Sequence, residues 1–173
     1  MRTALALVGI LALGIAGAAR ADAVETSVSS RVAATPDRVL AVLADFESWN
    51  RVFDGIETLA AERQDDHRTR VRLRVRRAGY TLSYTVSAIV DAEAHRVDLV
   101  LDPSEPSDLD VLVTSWRIDA LPDGASLVTL RVRSHARLPL PAFVERLVTE
   151  RTTQDSLADL VRTLERVAVA DRG

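Results

Sequence analysis

Two hydrophobic periods divide this chain. The first clear segment, Val24 to Ala33, alternates: Val24, Thr26, Val28, Ser30 and Val32 share one face, and Glu25, Ser27, Ser29 and Arg31 the other. That period of two predicts a half-buried strand. The period then changes. Thr35-Pro36-Asp37 has the order of a helix start, with Thr35 as N-cap, Pro36 at the first helical position and an acid in the first turn. Val39, Val42, Leu43 and Phe46 follow on one helical face. The helix weakens between Asp45 and Trp49, and a second short one is expected over Trp49 to Phe53, stopping at Gly55.

From Ile56 the period returns to two. Strands are predicted at Glu57–Arg63, Arg68–Arg77, Tyr80–Asp91, Arg96–Leu101, Val111–Leu121 and Leu127–Arg137. Turn residues separate them at Asp65-Asp66, Ala78-Gly79, Ala92-Glu93-Ala94 and Pro122-Asp123-Gly124. A longer acidic connection runs from Pro103 to Asp110. Hairpin-length links make sequence neighbours antiparallel neighbours in space. The last stretch, Leu138 to Val169, changes period again. Pro141 suits a first helical turn, and no Gly or Pro interrupts the chain from there to Gly173. Phe143, Leu147, Leu157, Val161, Leu164 and Ala168 recur near the helical period.

This last helix carries a polar interruption, Glu150-Arg151-Thr152-Thr153-Gln154-Asp155. Followed from Leu147 to Leu157, the stripe passes through Arg151 and Gln154. Inward polar groups need partners. Either these two meet the polar part of a ligand, or the helix kinks or breaks, with Thr152 or Thr153 capping a second piece. Thr-Thr, a weak helix former, favours the break.

Composition adds an address. Arg2 precedes the apolar run Ala4–Ala19, and Ala19-Arg20-Ala21 has the small-x-small form of a cleavage site. Residues 1–21 therefore read as a secretory signal peptide, cleaved before Asp22, and the run is short for a membrane anchor. Periplasmic or secreted location follows, with Asp22 to Gly173 as one domain and no second apolar segment able to span a membrane. The chain has no Cys, which excludes a disulfide framework. The net charge of −3 becomes −5 without Arg2 and Arg20. Such a mildly acidic chain argues against nucleic acid as partner.

Alternation also sorts the strand faces. Val71, Leu73 and Val75 point one way, as do Tyr80, Leu82, Tyr84 and Val86, then Val97, Leu99 and Leu101. Leu112, Thr114, Trp116 and Ile118 follow, then Val128, Leu130 and Val132. Arg68, Arg70, Arg72, Arg74 and Arg76 lie opposite Val71, Leu73 and Val75. That basic stripe is either a peripheral contact for anionic lipid or a solvated face. In the second case Asp98, Glu57, Asp119 or Asp91 balances it across strands. His67 and His95 fall in turns, and His135 on the outer face beside Arg131 and Arg133. No His has a metal-spaced partner, no phosphate loop or nucleophile elbow occurs, and no catalytic set, metal or cofactor is indicated.

Three stretches carry a family likeness: Thr35-Pro36-Asp37 through Phe46-Glu47-Ser48-Trp49, Thr114-Ser115-Trp116-Arg117-Ile118 with its Pro122-Asp123-Gly124 turn, and Leu140-Pro141-Ala142-Phe143-Val144 leading into the long helix. With them the chain from Asp22 onward resembles the START-like or SRPBCC superfamily, the polyketide cyclase/dehydrase and lipid transport proteins, which include coenzyme Q-binding-like members. The resemblance implies an α+β helix-grip fold. A curved antiparallel sheet of about seven strands wraps a long C-terminal helix, with a short helix pair after the first strand. It also implies a cavity between sheet and helix for a hydrophobic small molecule: a lipid, quinone or polyketide-like compound. On that implication Tyr80, Leu82, Tyr84, Leu99, Trp116, Leu130, Leu147, Arg151 and Gln154 are the candidate cavity lining. The expected function is an exported binding or transport protein. The alternatives are a cyclase/dehydrase-type enzyme in the same cavity, and an interaction module with a filled core.

Overall fold

Strand β1, Val24–Val32, opens the fold in a computed structural model that describes residues 23–77, 79–137 and 140–170. The signal-peptide reading of residues 1–21 lies outside them. Helix α1 runs over Pro36–Ala44 with Pro36 in its first turn. Thr35 holds the N-cap position, but its hydroxyl makes no capping bond. Its carbonyl accepts the Val39 N–H at 3.1 Å, which leaves Pro36, with no N–H to satisfy, as the main start signal. A 3₁₀ turn, Phe46–Ser48, leads into the four-residue helix α2, Trp49–Val52. The Trp49 indole donates to the Leu43 carbonyl at 3.1 Å and ties α2 to α1.

The six remaining strands are β2 (Ile56–Arg63), β3 (Arg68–Arg77), β4 (Tyr80–Asp91), β5 (Arg96–Leu101), β6 (Leu109–Ala120) and β7 (Ser126–Ala136). They form one antiparallel sheet in the order β1-β7-β6-β5-β4-β3-β2. The register sets inward residue against inward residue: Leu73 faces Tyr84, Leu99 faces Thr114, Trp116 faces Leu130 and Leu130 faces Val28. A slip of one residue would turn every such face outward, so the apolar pattern holds the register. β6 starts two residues before the position its alternation marks, because a register shift between Leu109 and Val111 disrupts the period there.

Helix α3, Ala142–Ala170, is a single helix of 29 residues packed on β1 and β7. It passes through Thr152–Asp155 without a break, which corrects the expected kink. Thr153 Oγ1 donates to the Thr149 carbonyl at 2.7 Å, and Ser156 Oγ to the Thr152 carbonyl at 2.8 Å. Each hydroxyl is thus satisfied by its own helix, four residues back, and can be buried without opening the backbone. Leu157, Leu160 and Leu164 continue the same face into the core.

Gly55 joins α2 to β2 at φ +70°, and its carbonyl accepts the Arg76 N–H at 2.7 Å. A Cβ at this position would lie 2.3 Å from the Arg76 carbonyl oxygen. Gly55→Ala is expected to cost about 2 kcal/mol, measured by urea unfolding, from the left-handed backbone and the enforced separation of the strands. An unchanged midpoint would show that β2 and β3 can part there without loss.

Candidate functional site: a cavity between sheet and C-terminal helix

The concave face of the sheet and α3 enclose a cavity of about 140 Å³ that opens to solvent. It lies toward the end of the sheet where β3 turns into β4 and where α3 begins. Leu73, Val75, Tyr80, Leu82 and Tyr84 form one wall. Leu99, Leu112, Thr114, Trp116, Leu130 and Val132 form the floor, and Phe53 and Ile56 close one side. The last wall is α3, through Val148, Thr149, Thr152, Thr153 and Ser156.

Six of the nine sequence-predicted residues therefore meet here: Tyr80, Leu82, Tyr84, Leu99, Trp116 and Leu130. The three on α3 do not. Leu147 is 57% exposed, and Arg151 and Gln154 are exposed as well. The inward stripe, traced back from Leu157, steps by four through Thr153 to Thr149, not by three through Gln154 to Arg151. An apolar criterion selects Leu147, whereas the cavity takes small hydroxyl side chains: Thr153 and Ser156 bond to their own helix, and Thr149 to Ser134 of β7 at 3.2 Å. Phe143, 73% exposed, and Leu147 lie on the outer face.

Sequence reasoning also missed the cavity's one ionic group. Arg77 ends β3 on the same side as Val71, Leu73 and Val75, so its inward direction follows from the strand period. It escapes notice as the last of a run of arginines. Its Nη2 donates to Asp159 Oδ2 at 2.7 Å, and its Nη1 forms an ion pair with Asp155 Oδ2 at 3.2 Å. Asp159, 4% exposed, also accepts the Asp54 backbone N–H at 2.9 Å and a bond from Arg162. Asp159 thus has several donors, while Arg77 Nε is buried without a partner among the described residues.

The aromatic groups divide by role. Phe46, Trp49, Phe53 and Trp116 form a row of tilted and edge-to-face contacts with ring centres 5.3, 5.1 and 5.8 Å apart. Trp49 spends its N–H on Leu43, whereas the Trp116 N–H donates to no described residue although the side chain is 3% exposed. The Tyr84 phenol, desolvated by its apolar surroundings, is held well above its ordinary pKa. It stays protonated and is a donor, not a base. Among the described residues no carboxylate or imidazole lines the cavity: the nearby acids Asp155 and Asp159 are engaged by Arg77.

On the convex face four of the five arginines of the stripe are paired. Arg74 and Arg76 both reach Glu57 at 3.3 Å. Arg70 meets Asp102 at 3.2 Å and Glu105 at 3.6 Å, and Arg72 meets Glu105 at 3.3 Å. Of the four acids expected to balance the stripe, Glu57 alone does so with these four arginines; Asp98 and Asp119 bind Arg96 and Arg117 on their own strands. The acidic β5–β6 connection supplies the rest. His135 turns from the outer face to Glu145 Oε1 at 3.1 Å, beneath the start of α3. Among the described residues no group of three potential ligands is placed to hold a metal, and no helix is long and apolar enough to cross a membrane.

Comparison with known proteins agrees with this geometry. The family model "Polyketide cyclase / dehydrase and lipid transport" matches residues 23–168. The chain belongs to this family. Its fold is shared with the Zhui aromatase/cyclase from Streptomyces sp. R1128, at 21% identity and TM-score 0.74, over 83% of this chain and 94% of that one. A START superfamily protein from Mycobacterium smegmatis aligns at 19% identity and TM-score 0.68, over 83% and 98%. A STAR-related lipid transfer protein from Xanthomonas axonopodis aligns at 15% and 0.69, over 82% and 85%. At these identities the likeness is one of fold. No curated protein sequence matches the chain.

Proposed function

We propose that this family member is an exported carrier that holds a hydrophobic, ring-bearing molecule by an acceptor oxygen. The observation that carries the reading is the imbalance inside the cavity. Its walls are mostly apolar, the groups on it without a bond to a described residue are the Trp116 N–H and the hydroxyls of Tyr80, Tyr84, Thr114 and Thr152, all able to donate, and among the described residues no carboxylate or imidazole lines it. Apolar burial supplies affinity and a few donors set orientation, the usual division in small-molecule sites. A carbonyl, quinone or phenolic oxygen would satisfy those donors.

Size narrows the class. A cavity of about 140 Å³ matches the ~150 Å³ engineered cavity that takes benzene. It lies below the ~300 Å³ at which drug-sized pockets begin. One ring or a slim chain fits as the cavity stands, and a fused polycycle needs α3 to move outward.

A cyclase-type enzyme is the second reading. It rests on the fold shared with an aromatase/cyclase and on a protonated Tyr84 able to donate to a substrate carbonyl. The test is native mass spectrometry of protein purified without detergent, followed by solvent extraction. A reproducible bound lipophile carrying an oxygen acceptor is the expected result. A clean apo mass, together with turnover of a linear polyketone that Tyr84→Phe abolishes, would replace the carrier with the enzyme. Export is tested separately: the protein from the periplasmic or culture fraction should begin at Asp22. An uncleaved chain starting at Met1 there would refute it.

A further inference from the structure

A second concavity, of about 210 Å³, lies where α2 ends against α3, and its lining is polar. It shares Phe53 with the ligand cavity and nothing else. Arg51, Arg162 and Arg166 converge on it with Asn50. Two acids, Asp54 and Asp159, are also present.

The charges do not balance. Asp159 is shared: Oδ2 takes Arg77 and the Asp54 N–H, and Oδ1 takes Arg162. With Asp155, which meets Arg77 at 3.2 Å, it answers the guanidinium groups of Arg77 and Arg162 and has no charge to spare for the other two arginines. Arg166 is held by neutral acceptors alone, with Nε to the Arg162 carbonyl at 3.4 Å and Nη2 to Thr163 Oγ1 at 3.0 Å. These bonds fix its direction and leave its charge uncompensated. Arg51 makes no ion pair with a described residue. The Asp54 carboxylate is the remaining counter-charge, one against the two cations of Arg51 and Arg166.

The anchoring matters as much as the sign. Buried Asp159 and half-buried Thr163, whose hydroxyl also reaches the Val52 carbonyl at 3.3 Å, hold two of the three guanidinium groups before any ligand arrives. A planar fork of N–H donors presented in a concave site fits the oxygens of a tetrahedral oxyanion better than a halide.

We propose that this pocket, lined by Arg51, Arg162 and Arg166, binds a phosphate-type oxyanion, either free or as the headgroup of an amphiphile. The proposal stands whether or not the cavity holds a ligand.

The test is a titration of the isotopically labelled protein with inorganic phosphate at constant ionic strength, chloride being the balancing ion, followed by NMR. Saturable shifts confined to residues 50–54 and 159–166 are expected. Arg51→Ala and Arg166→Ala should each weaken binding by about tenfold, the worth of a charge-assisted bond. Neither touches buried Asp159, so both should fold. Arg131→Ala, on the outer face of β7, should leave the affinity unchanged. Co-sedimentation with phosphatidic acid vesicles against phosphatidylcholine vesicles separates the sources. Retention on the former alone, lost in the Arg51/Arg166 double variant, identifies a headgroup; saturation by free phosphate without retention identifies the free ion. Absence of both overturns the site, as does binding that survives in the double variant.

Discussion

Asp159→Ala is expected to lower the stability of the protein by about 3–5 kcal/mol, the cost of leaving a buried charge without its partner. Asp159 receives Arg77, Arg162 and the Asp54 backbone N–H while 4% exposed. The variant would leave Arg77, whose side chain is 11% exposed, with Asp155 alone, an acid that is half in water. Urea unfolding should show the loss as a shifted midpoint at unchanged slope. A loss under about 1 kcal/mol would mean that solvent reaches Arg77 and that the pair behaves as a surface bridge. The double variant Arg77→Met, Asp159→Leu separates structure from use. Replacing both charges with apolar groups of similar volume should recover most of the stability. It removes the only cation from the cavity wall, so a ligand held by an acceptor oxygen should bind more weakly even though the fold is restored.

That pair also marks where sequence reading reaches its limit. The strands were legible because period two is unambiguous: in Arg68–Arg77 every second residue from Val71 to Val75 is buried, and the arginines between them are not fully so. The helix-grip order followed, since an antiparallel sheet with one long terminal helix has few ways to cover its face. The sheet side of the cavity was legible for the same reason, in the wall residues Tyr80, Leu82 and Tyr84 and the floor residues Leu99, Trp116 and Leu130. The wall on α3 was not. Hydrophobicity phases a helix only when its inner face is apolar, and here Thr149, Thr153 and Ser156 occupy that face while Phe143 and Leu147 face water. A signal was present: residues Thr149, Thr153, Leu157, Leu160 and Leu164 keep the helical spacing if hydroxyls that can bond back to their own helix are admitted as inward. Arg77 was legible from strand parity alone. Its partner was not, because the two lie 82 residues apart and nothing local in the sequence pairs them.

Trp116→Ala should cost about 3 kcal/mol, the low end for an aromatic core truncation, because one side of the indole already faces the cavity and only the other loses contacts. Those contacts are Phe53, with ring centres 5.8 Å apart, and the facing strand residues Val97 and Leu130. The sharper comparison is Trp116→Phe. It keeps most of the apolar ring and removes the N–H. Since that N–H donates to no described residue, stability should change by less than about 1 kcal/mol, whereas Trp49→Phe gives up the bond to Leu43 and should lose about 1 kcal/mol more. Equilibrium unfolding of the two variants side by side measures that difference. Ligand retention, read by native mass spectrometry, should respond in the opposite order: reduced in Trp116→Phe, where a donor to the ligand's oxygen is lost, and less affected in Trp49→Phe, whose ring also lines the cavity but whose N–H is spent on Leu43. Equal retention in both variants would mean that the Trp116 N–H takes no part in holding the ligand. The orientation would then fall to Arg77 and Tyr84.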